Sequence, residues 1–210
     1  MAIFTLRNVQ FRDIINYPDL EITAQTATFI CGESGCGKST LLKLLNGVIS
    51  PAGGAIFYCD KHLDEYDPIA LRQNVLLCGQ SVFLFAGSVR DNFVQFYQYR
   101  DLPPLDDEEM LACLKLCAID FQLDAVCDNM SGGEKQRIFT AICLSFRPDA
   151  LLLDEPTSAL DDATAHAVMA NIKTFCRENG MTLLVVSHHK TLAEQYADHL
   201  IELTGGNANG

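Results

Sequence analysis

The sequence predicts an α/β fold with a mainly parallel core sheet, an antiparallel β region at the N-terminus and an inserted helical subdomain. Three observations predict it. From residue 131 onward helical and strand patterns alternate: helix from 131, strand 150–153, helix from about 161, strand 182–186, helix from about 190. Strands separated by crossover helices run parallel and are covered on both faces. Before that, the first 31 residues read as strands. IFTLRNVQF and DLEI place apolar residues at nearly alternate positions, and ATFIC is a short apolar run ending at glycine. Third, the stretch 86–130 differs in character. It holds Pro103-Pro104, an acidic cluster at Asp106, Asp107, Glu108 and Glu109, and then MLACLKLCAI at helical spacing. Acidic residues suit a first helical turn, where the helix dipole is positive.

The remaining elements follow in order. STLLKLLNGV is helical and has Gly47 near its end, while AIFYCD (55–60) and VLLC (75–78) are strand-like. The expected organisation is one domain, with a core of 1–85 and 131–204, a helical subdomain at about 86–130 and a flexible end, GGNANG, at 205–210. A chain of 210 residues suits one domain. Hydrophobic residues make up 49% of it, enough to bury a core, so disordered and low-complexity classes are excluded.

With 15 Lys+Arg against 27 Asp+Glu the formal charge is −12, which argues against nucleic acid as a partner. No apolar run approaches the ~18–20 residues needed to cross a bilayer. The N-terminus MAIFTLRNVQFRD does not read as a signal peptide. At a membrane, another chain would supply the spans. The nine cysteines form no CxxC pair and no zinc ladder, and they read as buried, reduced thiols.

Between a strand and a helix stand Gly32, Glu33, Ser34, Gly35, Cys36, Gly37, Lys38 and Ser39, followed by Thr40. This fits G-x-x-x-x-G-K-[ST] in the context the motif requires. Glycines let successive backbone N–H groups turn inward around an anion, and the helix N-terminus points at it. Lys38 supplies a point charge for the β- and γ-phosphates, and the Ser39 hydroxyl is a ligand for Mg²⁺. The loop implies a nucleoside triphosphate and a P-loop fold.

A second constellation is ALLLDEP, residues 150–156. Acids that end an apolar strand lie where an open parallel sheet presents groups to ligand. Asp154 is placed to hold Mg²⁺, and Glu155 to polarise an attacking water. Downstream, Pro156 suits a helix start, and Ser158 with Asp161 three residues later fits a capping box.

The third is MSGGEKQR, residues 130–137. Ser131 and Glu134 also fit a capping box. Gly132 and Gly133 are unexplained by it, because glycine in a first turn weakens a helix. They make sense where a phosphate approaches the backbone closely.

With these motifs in this order, the chain resembles the nucleotide-binding subunit of an ATP-binding-cassette (ABC) transporter. The resemblance runs through the phosphate loop, Gln80, SGGEKQR, LLLDE, the Ser158–Asp161 loop and His188 after TLLVVS. It implies a P-loop NTPase that binds and hydrolyses ATP with Mg²⁺. It implies that Gln80 touches Mg²⁺ and links the core to the helical subdomain. Ser131, Gly132, Gly133 and Glu134 would lie at the γ-phosphate bound to a second copy, and Asp161 would cross the interface between copies. His188 would contact the γ-phosphate and position the water, with His189 adjacent. Partners would be that second copy and a separate integral-membrane permease, on the inner face of the cell membrane. Short separate subunits of this layout resemble those of bacterial metal (iron) exporters. An alternative is a soluble ATPase of the same family acting as a nucleotide-switched assembly factor, and another is a binding module without catalysis.

The chain departs from the family at the adenine. Asp13 stands where a stacking aromatic is expected, which leaves Phe11, Tyr17 or neither. Met130 replaces the usual leucine, a swap of similar volume. The aromatics Phe83, Phe85, Phe93, Phe96, Tyr97 and Tyr99 form either a docking patch or the subdomain's own core.

Overall fold

The computed structural model describes residues 1–12 and 14–204; the expected flexible end at 205–210, and Asp13, lie outside the described residues. The N-terminal region is an antiparallel sheet. The long strand β1 (Ala2–Phe11) pairs with β2 (Ile15–Asn16), β3 (Leu20–Thr23) and β5 (Gly53–Tyr58). β5 turns back through Cys59 and Asp60 into β6 (Lys61–His62). Both turn residues have positive φ, 48° and 62°, as a two-residue hairpin requires. The strand expected to reach Asp60 therefore ends at Tyr58.

The second sheet is parallel. Its strands are β4 (Ala27–Gly32), β7 (Val75–Cys78), β8 (Ala150–Asp154), β9 (Thr182–Val186) and β10 (His199–Leu203), in the spatial order β10-β4-β9-β8-β7. β10 is not among the strands the sequence predicts. Its residues are mostly exposed, so it lacks the apolar run of its neighbours.

Alternate residues of the central strands feed two separate cores. Phe29, Leu151, Leu153, Leu183 and Val185 face one layer, and Ile30, Leu152, Leu184 and Val186 face the other. The second layer holds helix α1 (Lys38–Leu45) and the antiparallel sheet. α2 (Pro68–Asn74), capped by Asp67, leads from that sheet into β7. The first layer holds α3 (Val89–Gln98), α4 (Asp107–Leu116), α5 (Gly132–Ser145), α6 (Asp162–Glu178) and α7 (Lys190–Tyr196). Burial of β8 and β9 on both faces explains their unbroken apolar sequences.

α4 begins in the acidic cluster, with Asp106 as cap and three acids in its first turn. Eight of the nine cysteines are buried, and all are free thiols. Burial pushes the Cys113 thiol up to about 11, so it is not reactive near neutral pH.

Candidate functional site

Three adjacent strands, β4, β9 and β8, end on the same side of the parallel sheet. After β4 comes the Gly32–Lys38 loop, after β9 comes His188, and at the end of β8 stand Asp154 and Glu155. The pairing of neighbouring strands thus gathers residues that lie far apart in sequence.

Gly32 has φ 149°, and a Cβ there would come within 2.3 Å of the Leu203 carbonyl oxygen. Gly37 has φ 99° and caps α1 without any side-chain hydrogen bond. The first-turn N–H groups of α1 therefore have no side-chain acceptor of their own. Tyr17 donates its hydroxyl to the Gly37 carbonyl at 2.8 Å and is only 5% exposed. It is a prop beneath the loop rather than a free stacking face. Phe11 is half-buried and carries the Arg12 guanidinium 5.2 Å from its ring centre.

Lys38 is 5% exposed and donates to the carbonyls of Gly32 (2.9 Å) and Glu33 (2.8 Å). A buried ammonium held by two neutral carbonyls is poised for stronger acceptors. Ser39 donates to Asp154 Oδ1 at 2.9 Å. Burial, the largest influence on Asp154, raises its pKa; the Ser39 hydrogen bond opposes this and the charge of Glu155 adds to it. A cation between Ser39 and Asp154 would relieve that burden, and hard oxygen donors suit Mg²⁺. An uncapped helix start, a buried lysine and this oxygen pair fit a nucleoside triphosphate with Mg²⁺.

Glu155 and His188 are in contact, with Glu155 Oε1 2.9 Å from His188 Nε2. Glu155 has φ 53°, a left-handed conformation costing about 1–3 kcal/mol in a residue with a Cβ. Its N–H donates to the Val186 carbonyl at 3.0 Å, which fixes the turn against β9. Adjacent His189 instead stands at the start of α7, makes no side-chain capping bond, and donates its N–H to Ser187 Oγ. Geometry thus separates the two histidines. A cavity of about 520 Å³ opens beside Glu33 and His188, with Ser187, Lys190 and Leu203 in its wall.

The other expected site residues lie on the Ser131 turn, in the 157–161 loop and in the loop after β7. Ser131 and Gly132 are exposed, and the capping box forms: Ser131 Oγ accepts from Glu134 N–H (3.3 Å), and Glu134 accepts from Ser131 N–H (2.8 Å). The Ser131 hydroxyl, donating to Glu134 Oε2 at 2.7 Å, and the Ser131 N–H together hold the Glu134 carboxyl below its usual range. Gly133 lies against the 157–161 loop, where an added Cβ would sit 3.1 Å from Ala159. The box expected at Ser158 and Asp161 does not form. α6 starts later, with Asp161 itself as cap, accepting from Thr164 N–H (3.0 Å) and Oγ1 (2.7 Å). Asp161 is exposed, and Gln80 is exposed two residues beyond β7.

One residue the motif reading missed is Gln136. It is 8% exposed and its Nε2 donates to the carbonyls of Asp154 (3.3 Å) and Gly79 (3.4 Å). It ties α5 to the backbone just before both Glu155 and Gln80. A buried glutamine is the only sequence signal, and its partners are distant in the chain.

Residues 15–158 match the family model described as ABC transporter. This chain belongs to the ABC transporter family. It is an ATP-binding ATPase domain of that family, of the kind that serves transporters. Relatives include the probable iron export ATP-binding protein FetA of Escherichia coli K12, 38% identical over 90% of this chain and 84% of that one. A phosphonates import ATP-binding protein, PhnC 3 of Nostoc sp., is 32% identical over 85% of this chain and 72% of its own. Among solved structures, cbiO1 of Clostridium perfringens, part of the ABC transporter complex cbiONQ, has a TM-score of 0.83 and 26% identity. It covers 98% of this chain and 86% of its own. Relatives thus serve both import and export, and no helix among the described residues is long and apolar enough to cross a membrane.

Proposed function

We propose that two copies of this chain bind and hydrolyse ATP at a shared interface and so drive transport through a separate membrane permease. The observation that carries this reading is the pairing of Glu155 with His188 at the strand ends that also carry the buried Lys38, while Ser131 and Gly132 are exposed. One phosphate site is assembled within the chain, and a second glycine-rich helix start is presented to something beyond it.

Lys38 and the first turn of α1 hold the β- and γ-phosphates, with the Gly32–Gly37 loop and Thr40 around them. Ser39 and Asp154 hold Mg²⁺, with Gln80 reaching it from the loop after β7. The ion, when bound, offsets phosphate charge. Glu155 orients the attacking water and accepts its proton; His188 holds Glu155 in place and meets the γ-phosphate. Ser131, Gly132 and Gly133 close the site of the other copy, Glu134 steadies that turn, and Asp161 crosses between copies. An incomplete site in one copy makes ATP favour the pair by mass action. The 86–130 segment carries the resulting motion outward, with the chain at the inner face of the membrane.

Metal export, iron included, is the cargo class we favour, on the similarity to FetA. The phosphonate importer shows that relatives of comparable similarity work in the other direction. Affinity purification of the tagged chain from detergent-solubilised native cells, with mass spectrometry of what accompanies it, tests the reading. A multi-span protein in near-stoichiometric amount is expected. A soluble partner, or none when membranes are included, would overturn the transport role and leave the ATPase chemistry standing.

A further inference from the structure

Seven of the nine cysteines belong to one core layer, and two of them meet. Cys78 ends β7; with Leu76 it occupies the face of that strand that packs on α5. Cys143 lies near the C-terminal end of α5. The Cys78 and Cys143 thiols share a hydrogen bond, which together with burial raises the Cys143 pKa well above the usual thiol range. Such a thiol stays protonated near neutral pH and is inert to ordinary thiol chemistry. The mechanism of ATP hydrolysis uses neither group.

The pair is reached from the surface. Cys143 lines an open groove of about 290 Å³, with Leu76, Phe96, Phe139 and Phe146 in its walls. Arg100 stands in the same wall, its guanidinium carbon 4.1 Å from the centre of the Phe146 ring. Its Nη2 donates to the Gln73 carbonyl, but its Nη1 is buried without a hydrogen-bond partner. A buried donor without an acceptor is costly and calls for a partner. Burial lowers the Arg100 pKa, and Cys143 and Tyr97, the neighbours able to carry negative charge, oppose this.

Two touching thiols beside one unsatisfied cation fit one class of ligand. Soft, closed-shell monovalent ions such as Cu(I) and Ag(I) are content with two thiolates. Two thiols and the ion become a bis-thiolate complex and two released protons. That complex carries a single negative charge, and the Arg100 guanidinium carries a single positive one. The assembly is therefore neutral in a dry core, where a lone charge would be costly. Nη1 of Arg100 gains a sulfur acceptor. Structural zinc fails on ligand count: it takes four ligands, and no group of three or more His, Cys, Asp or Glu among the described residues is placed to hold a metal ion. We infer that Cys78 and Cys143 form a two-coordinate site for a soft monovalent cation, with Arg100 balancing its charge. The site does not depend on the transport role. Cys78 precedes Gln80 by two residues, and α5 begins at the Ser131 turn. A bound ion ties these two elements together and restrains the nucleotide site.

The test is anaerobic loading of the full chain with Cu(I) against a Cu(I)-specific chelator, read by metal content and X-ray absorption. One tightly held ion per chain with two sulfur neighbours is expected. Cys78→Ala and Cys143→Ala should each abolish retention. Arg100→Met should weaken it roughly tenfold to a hundredfold, as loss of a group supporting the ligands does, and Arg100→Lys should keep most of it. Thermal melts of the metal-free variants report folding, and the sulfur count on the unaltered chain stands without any variant. Loading should slow ATP hydrolysis severalfold in the unaltered chain and not in Cys143→Ala, which keeps Cys36 in the phosphate loop. No retained ion, three or more sulfur neighbours, equal retention of Zn(II), or retention indifferent to Cys143→Ala would each overturn the site. Slowing that persists in Cys143→Ala would overturn its link to hydrolysis.

Discussion

Helices α1 and α5 both start beside glycines, yet they treat their first-turn N–H groups in opposite ways. α1 has no side-chain cap; its cap residue is Gly37 in a left-handed conformation, and its first residue is the buried Lys38. α5 is capped twice over by the reciprocal bonds of Ser131 and Glu134, and its start is exposed. The first leaves its donors for an anion seated within the chain. The second is stable alone, and under the proposed function its glycines meet the nucleotide held by the other copy. Under that proposal one chain carries a phosphate seat and, elsewhere, half of another.

If that contrast is right, substitutions near α1 and on β8 should act within one copy, and substitutions at α5 only between copies. The largest effect is expected from Glu155→Gln. Turnover should fall about 10²–10⁴-fold through loss of the group that takes the proton, with ATP affinity preserved and a paired form accumulating. Hydrolysis at the wild-type rate would remove Glu155 from that role. Next is Lys38→Ala. Losing charge-assisted bonds of about 1.5–3 kcal/mol each should weaken nucleotide binding roughly a hundredfold, measured by calorimetry on a dilute single copy. Unchanged affinity would break the assignment of α1 as the phosphate seat.

A smaller effect concerns pH. Burial raises the Asp154 pKa in the metal-free fold, so the protonated form is favoured more than for an ordinary aspartate. Mg²⁺ requires the ionised form, and its binding must release the proton. At fixed nucleotide the terminal phosphate titrates in either protein, so Mg²⁺ affinity should decline on acidification more steeply in the wild type than in Asp154→Asn, with the difference appearing above the usual aspartate range near 3.9. Identical pH profiles for the two proteins would contradict it.

The contrast between α1 and α5 also shows what the chain discloses before its structure is known. Lys38, Ser39, Asp154 and Glu155 were legible because each lies in a short motif at the end of an apolar strand. The strands β4, β8 and β9 were legible because both of their faces are buried. β10 was not, since its exposed residues give no apolar run. Tyr17 reads as a candidate stacking face until its hydroxyl is found on Gly37, twenty positions on. Gln136 lies in plain view within the motif, yet its role depends on carbonyls of Gly79 and Asp154 that only the folded sheet brings beside it. The Ser158–Asp161 spacing fits a cap as well as Asp161–Thr164 does, and backbone angles rather than spacing decide between them.

The central claim is that the Ser131 turn of one copy completes the nucleotide site of another. Mixing two inactive variants tests it most directly. Lys38→Ala lacks the seat and keeps the turn, while Gly132→Asp places a carboxylate on the exposed turn and keeps the seat. A Cβ at Gly132 meets nothing within 4 Å, so that variant should fold. Equal mixing should restore up to about a quarter of the wild-type ATPase rate, since half of the pairs are mixed and each holds one intact site of two. A mixture as inactive as its components would contradict a site shared between copies.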